Sequence, residues 1–169
     1  ARRFEPEIGY RLHEVDLASA PFTVESVKPL LKGVIPSMEV IDFRPWKVSS
    51  NVPITFVTAN VFYKNTVQGV EVPWSEYVQT KLDTLEVTVY TDVPYIDTGL
   101  LTKIGTASSV QPSLLGVVAQ ALNHAAEYGI IMVEDSTIIT GSFAGVTPVD
   151  SAAKLDFGEF GWVNMTITP

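Results

Sequence analysis

At 169 residues, with 46% hydrophobic and 10% aromatic side chains, the chain has the length of one domain with a substantial core and too much apolar content to stay disordered. A formal net charge of −8 leaves no basic surface to neutralise phosphates, so neither nucleic acid nor an anionic membrane is an expected partner. No apolar run is long enough to span a bilayer, no leader is recognisable, and zero cysteines exclude disulfides, thiolate zinc sites and cysteine nucleophiles.

The chain opens on a predicted strand from about Phe4. Side chains two apart share a strand face, which sets Glu5 and Glu7 on one side and Phe4, Pro6, Ile8, Tyr10 and Leu12 on the other. Two neighbouring carboxylates repel, and on a partly buried face they need a cation between them. Glu39, just before Val40-Ile41, offers a third oxygen ligand. Three carboxylates without cysteine suit a hard ion, Mg²⁺ or Mn²⁺, better than zinc. The same alternation also describes an edge strand with Glu5 and Glu7 on its solvated face.

Arg11 to Pro21 reads as a strand end and turn, with His13 on the Glu5 and Glu7 face as a solvated or structural residue. Thr23 is placed to cap a short helix over Val24 to Leu31, disturbed by Pro29 and stopped by Gly33. Val34 to Phe43 then reads as a buried strand carrying Glu39. Asp42 and Arg44 either orient the ligand glutamates or form a structural ion pair. Pro45, Asn51 and Pro53 mark a loop, and Ile54 to Val61 is apolar enough for a strand.

Glu71 to Val93 is predicted to be mainly β, since Leu85, Val87 and Val89 alternate with Glu86, Thr88 and Tyr90. Gly99 to Ser109 reads as a small-residue loop bordering a site. Ser113 to Tyr128 carries apolar residues at helical spacing, with Gly129 as C-terminal cap and His124 on the polar side. Ile130 to Val133 and Ser136 to Thr140 read as strands. Lys154 to Phe157 and Trp162 to Thr168 read as a hairpin around Gly158 to Gly161, with Val163, Met165 and Ile167 facing the core.

Glu5-Pro6-Glu7-Ile8, followed by Met38-Glu39-Val40-Ile41-Asp42-Phe43-Arg44 and Trp46-Lys47, resembles the fumarylacetoacetate hydrolase superfamily. The nearer likeness is to its branch of 2-oxopent-4-enoate hydratases and 4-oxalocrotonate decarboxylases. Val57-Thr58-Ala59-Asn60 with Val67-Gln68-Gly69 resembles that family's Val-Ala-Asp-Asn and Phe-Val-Leu-Gly, and Thr140-Gly141-Ser142 with Pro148-Val149 resembles its Thr-Gly-Ser and Pro-Val. The motifs run over nearly the whole chain in the family's order. The chain departs at Ala59, where the family has an acid; at Phe62-Tyr63-Lys64, where it has small residues; and at Asp150-Ser151-Ala152-Ala153, where it has Gly-Asp.

The resemblance implies an α+β, β-rich fold over residues 1–169: a mixed rolled sheet with one long and one short helix. It implies Glu5, Glu7 and Glu39 as ligands of Mg²⁺ or Mn²⁺, and Asn60, Thr140, Gly141 and Ser142 as substrate contacts. Lys64 stands as the candidate acid/base, with Asp42 and Arg44 behind the ligands. The implied activity is that of a metal-dependent lyase, a hydratase or decarboxylase, acting on a short 2-oxo or 2-hydroxydienoic acid through a stabilised enolate. The alternative is a relative with lost or redirected chemistry, either an enzyme for a bulkier 2-oxo acid or a non-catalytic subunit.

The family portion that normally precedes the Glu-x-Glu strand has no match here. The chain reads as a fragment, as a protein that has shed that portion, or as one whose companion chain supplies it. A cytoplasmic homo-oligomer, or an assembly with such a companion, is the expected setting.

Overall fold

A computed structural model of the chain describes residues 2–42, 63–91 and 101–167, with backbone alone at 101–103. The predicted strand over Ile54 to Val61, and Arg44, Asn60 and Phe62, lie outside these residues.

Two long strands carry the first sheet. β1 (Arg2–Leu12) and β2 (Leu31–Asp42) pair antiparallel from Arg2↔Asp42 to Leu12↔Leu31, with one irregularity between Arg11 and Leu12. β3 (Tyr63–Gln68) continues the sheet beyond β2, with β4 (Val72–Pro73) on the same side further along. On the other side of β1 lie β7 (Thr137–Ile139) and β8 (Thr147–Pro148). β1 is therefore an interior strand, buried on both faces from Pro6 to Tyr10, and the solvated edge-strand reading of Glu5 and Glu7 falls.

Pro6 is tolerated inside this sheet because its missing N–H falls where the β7–β8 side of the ladder is interrupted. Its carbonyl accepts from Phe143 N–H at 2.8 Å instead. That interruption holds residues 140–146 against the middle of β1.

The second sheet has the order β10-β9-β5-β6, built from β5 (Glu86–Thr91), β6 (Leu101–Thr106), β9 (Ala152–Asp156) and β10 (Trp162–Thr166). All described strand pairs are antiparallel. The predicted hairpin is β9–β10, and Val163 is buried while Met165 and Ile167 pack against the core from partly buried positions. Phe143 and Phe157 meet edge to face at 6.4 Å inside that core.

The long helix α3 (Leu114–Tyr128) runs as its apolar spacing requires. Ser113 accepts from Gly116 N–H at its start, and Gly129 closes it at φ 65°. The side chain of Asn123 clamps Phe22 by accepting from its N–H and donating to its carbonyl. His124 is exposed and lies against Tyr128.

Four stretches differ from their sequence reading. The first helix is a single turn, α1 (Val24–Val27), capped by Thr23 and followed by a tight turn over Lys28–Leu30, so Gly33 lies inside β2 rather than ending a helix. α2 (Glu76–Leu82) interrupts the stretch read as β: Ser75 caps it, and Val78 and Leu82, four apart, turn the same buried face inward. Residues 101–106, read as loop, form β6, paired with β5 along its whole length. Ile130 to Val133 is not a strand; it crosses the outside of the molecule, with Ile131 84% exposed.

Leu155 is fully buried between its partners in β5 and β10. Leu155→Ala should lower the free energy of unfolding by about 2–5 kcal/mol in urea denaturation, and a loss below about 1 kcal/mol would place that side chain outside the core.

Candidate metal centre

Sheet register brings the acids together. Glu5 stands directly opposite Glu39 across the β1–β2 ladder, and Glu7 lies diagonally, one step along on the same face. One carboxylate oxygen from each of Glu5, Glu7 and Glu39 lies within 4.8 Å of the others. An octahedral ion with bonds of about 2.1 Å sets adjacent ligand oxygens about 3.0 Å and opposite ones about 4.2 Å apart, so the three carboxylates need only a small inward adjustment to share one ion. Neither histidine joins them: His13 lies beyond the end of β1 and His124 on α3.

The electrostatics point the same way. Glu7 is 2% exposed, an extreme value for a carboxyl group. Burial is the largest influence on it and pushes its pKa up to about 8. The charge of Glu39, a side-chain hydrogen bond to Glu39 and the charge of Glu5 push in the same direction, against the N–H of Gly141, which lowers it. That N–H donates to Glu7 Oε2 at 3.0 Å, a geometry set by the left-handed turn of Gly141 at φ 90°.

On either side of this glycine, the Thr140 and Ser142 hydroxyls are buried without a hydrogen-bond partner among the described residues. Thr140 is 3% exposed. Buried hydroxyls are ordinarily satisfied, so two orphans flanking the residue that contacts Glu7 mark a place for polar ligand atoms. The donor set fits a hard divalent cation: oxygen ligands only, a buried carboxyl forced toward its neutral form, and unsatisfied hydroxyls beside it.

The remaining sequence candidates are spread more widely. Asp42 pairs in register with Arg2; being three residues from Glu39 in a regular strand, it lies on the opposite face of β2. Lys64 is exposed in β3 at the point where the register with β2 slips.

Sequence reasoning marked Tyr63, which replaces a small residue of the resembled family, as one that reshapes the pocket, and missed the rest of the face. A groove of about 480 Å³ crosses it, lined by Tyr63, Thr66 and Gln68 from β3 and by Thr137 and Ile139 from β7. On the same face Ser37 is fully buried and donates its hydroxyl to the Ile35 carbonyl at 2.9 Å. The available signal was spacing: Ser37 precedes Glu39 by two residues.

No sequence-family model matches the chain, and no curated protein does either. Its fold matches solved structures. 4-Oxalocrotonate decarboxylase from Pseudomonas putida G7, complexed with magnesium and adipate, aligns with a TM-score of 0.78 at 22% identity, over 96% of this chain and 59% of that one. A fumarylacetoacetate hydrolase family protein from yeast aligns at 0.63 with 14% identity, over 98% of this chain and 66% of its own. Maleylpyruvate hydrolase from Sphingobium sp. SYK-6, in complex with manganese(II) and pyruvate, aligns at 0.62 with 14% identity, over 98% and 53%. The chain has the β-rich fold of the fumarylacetoacetate hydrolase family and spans about 59% of the decarboxylase's length.

Stability should report the state of Glu7. Its carboxyl titrates near 4.5 in the unfolded chain and near 8 in the folded, metal-free protein, so the folded state holds the proton longer. Stability is therefore full in acid and declines as pH rises between these values. After chelation, Glu7→Gln should melt progressively higher than wild type as pH rises from about 5 to about 8, with the gap closing in acid. A gap that widens toward acid would contradict the burial argument.

Proposed function

We propose that the chain is the catalytic portion, a single domain, of a divalent-metal-dependent lyase acting on a short 2-oxo or 2-hydroxydienoic acid. The observation that carries this reading is the convergence of Glu5, Glu7 and Glu39 on one face of the first sheet, with Glu7 buried. The likeness of the fold to a decarboxylase complexed with magnesium and a hydrolase complexed with manganese supports it.

In this reading Glu5, Glu7 and Glu39 hold Mg²⁺ or Mn²⁺. The ion supplies a Lewis acid that withdraws charge from the carboxylate and 2-oxo groups of the acid and so eases loss of a proton from the neighbouring carbon. The Thr140 and Ser142 hydroxyls donate to the substrate carboxylate, which satisfies both orphans at once, while Gly141 N–H keeps Glu7 oriented. Lys64, on the strand next to Glu39, is the candidate proton carrier. Asn60 as a substrate contact and Arg44 as a residue that orients the ligands rest on the sequence, while Asp42, on the face of β2 opposite Glu39, fits the structural alternative better.

Burial on an interior strand excludes bulk water from Glu7, which strengthens every charge interaction around it. Hydrolases of the resembled superfamily activate water with a Glu and His pair. The two histidines here lie away from the carboxylates, which favours the lyase reading.

Metal analysis and an assay test this together. The purified protein should carry about one Mg²⁺ or Mn²⁺ per chain, lost in Glu39→Gln, and should consume 2-hydroxypenta-2,4-dienoate with loss of its ultraviolet absorbance. Metal bound without turnover of this or related 2-oxo acids would favour the redirected alternative. No metal at all would end both readings.

A further inference from the structure

At the end of the first sheet away from the carboxylates, the chain leaves a β-prone run without a partner. Ile130 to Val133 is neither helical, turned nor bent, and lies between the Gly129 cap of α3 and the turn at Glu134 and Asp135. Three of its four side chains are β-branched, the composition of a strand. Exposure also alternates as in a strand: Ile131 and Val133 are 84% and 59% exposed, while Met132 between them packs against the core.

What this run lacks is a neighbouring strand. Ile130 N–H donates to the Ala125 carbonyl at 2.9 Å and Val133 N–H to the Ser136 hydroxyl at 3.1 Å, so both ends are tied down. Between them, the N–H groups of Ile131 and Met132 and the carbonyls of Ile130, Ile131 and Met132 make no hydrogen bond among the described residues. Along a strand, successive residues turn their N–H and C=O groups to opposite edges, so an added strand takes either the Ile131 pair or the Met132 pair. A groove of about 430 Å³ opens beside the run, between Val15 and Leu17 after β1, Ala125 and Gly129 of α3, and Ile131 and Met132. Every side chain lining it is apolar.

The surroundings of this groove are acidic. Glu14 and Asp16 flank Val15, Glu127 follows Ala126, and all three are exposed. Neither residues 12–19 nor residues 124–136 contain a lysine or arginine. Lys32 reaches in from β2 and is taken up by Glu134 at 3.6 Å and Asp135 at 2.7 Å. Gly129 also ends a helix of 15 residues, whose last carbonyls add partial negative charge at the groove. This field attracts lysine or arginine, and it opposes a second copy of the chain, which would bring the same acids to the interface.

We infer that Ile130 to Val133 is a docking edge for a basic, extended segment of a partner protein. The segment adds as a strand, sets its apolar side chains against the groove and its lysines or arginines toward Glu14, Asp16 and Glu127. Main-chain hydrogen bonds supply the hold, and the alternation of apolar and basic side chains supplies the selectivity. This edge is separate from the carboxylate cluster. Leu12, whose carbonyl accepts from Asp135 N–H at 3.0 Å, stands roughly 20 Å along β1 from Glu5, so docking here is independent of the metal.

Two heptapeptides test this on the full chain by calorimetry and by hydrogen exchange of assigned amides: acetyl-Lys-Val-Lys-Ile-Lys-Val-Lys-amide, and its counterpart with glutamate in place of every lysine. The lysine peptide should bind, more weakly as salt rises, and the glutamate peptide about tenfold more weakly still. With the lysine peptide bound, the amide of Ile131 or of Met132, open to exchange in the protein alone, should slow about tenfold or more. Ile131→Ser should weaken binding about tenfold, and Glu14→Gln with Glu127→Gln about threefold at low salt, with the melting temperature unchanged in both. No binding at millimolar lysine peptide, equal binding of the two peptides, affinity unchanged in both variants, or binding that leaves both amides exchanging as before overturns the inference. So does a dimer in sedimentation that protects the same amides without peptide, because the occupant is then a second copy.

Discussion

Carboxylates repel, and a fold that places three of them on neighbouring positions of paired strands has to answer that repulsion. Here the answer is built into the sheet. Glu5 and Glu39 are register partners, and Glu7 sits one step along on the same face, so no movement of loops separates them without breaking the β1–β2 ladder. Burial makes the demand sharper, because Glu7 is nearly inaccessible and is held toward its neutral form by loss of hydration before any neighbouring charge is counted. A divalent cation would offset all of these costs together. The two hydroxyls left without a partner among the described residues and the N–H of Gly141 form a polar cradle on the Thr140-Gly141-Ser142 turn.

The rest of the fold holds that cradle in place. The interrupted ladder beside Pro6 lets residues 140–146 lie against the middle of β1, and Phe143, one residue past the cradle, anchors the segment in the core against Phe157. Close approach fixes the other side of this segment. A side chain at Gly105 in β6 would come within 2.6 Å of the Phe143 carbonyl, so only glycine lets the second sheet pack there. The positions of Thr66 and Gln68 on β3 follow from the same register that gathers the acids.

How much of this could be read from the sequence depended on whether the signal was local. The strands β1 and β2, the helix α3 with its Ser113 and Gly129 caps, and the β9–β10 hairpin all declare themselves through periodicity and end residues. α2 did not, because seven residues hold only one apolar pair, Val78 and Leu82, within a stretch otherwise rich in β-formers. β6, at the edge of its sheet among the described residues, sits in a stretch whose Gly99, Gly105 and Ala107 to Ser109 read as loop until β5 pairs with it. The opposite error occurred at Ile130 to Val133, where a β-like apolar run has no strand beside it among the described residues. For the site, the spacing of Glu5 and Glu7 and the place of Glu39 were legible. The choice between a solvated pair and a buried cluster was not, since it rests on β7 and β8 covering the far side of β1. Thr66 and Gln68 became visible only through the β2–β3 register, which no local pattern encodes.

The most direct measurement is an anomalous difference map from crystals grown with MnCl₂, collected at the manganese edge. A single strong peak about 2.1 Å from oxygens of Glu5, Glu7 and Glu39 together is the expected result. A peak elsewhere, or none with the three carboxylates turned away from one another, would contradict the account at its root.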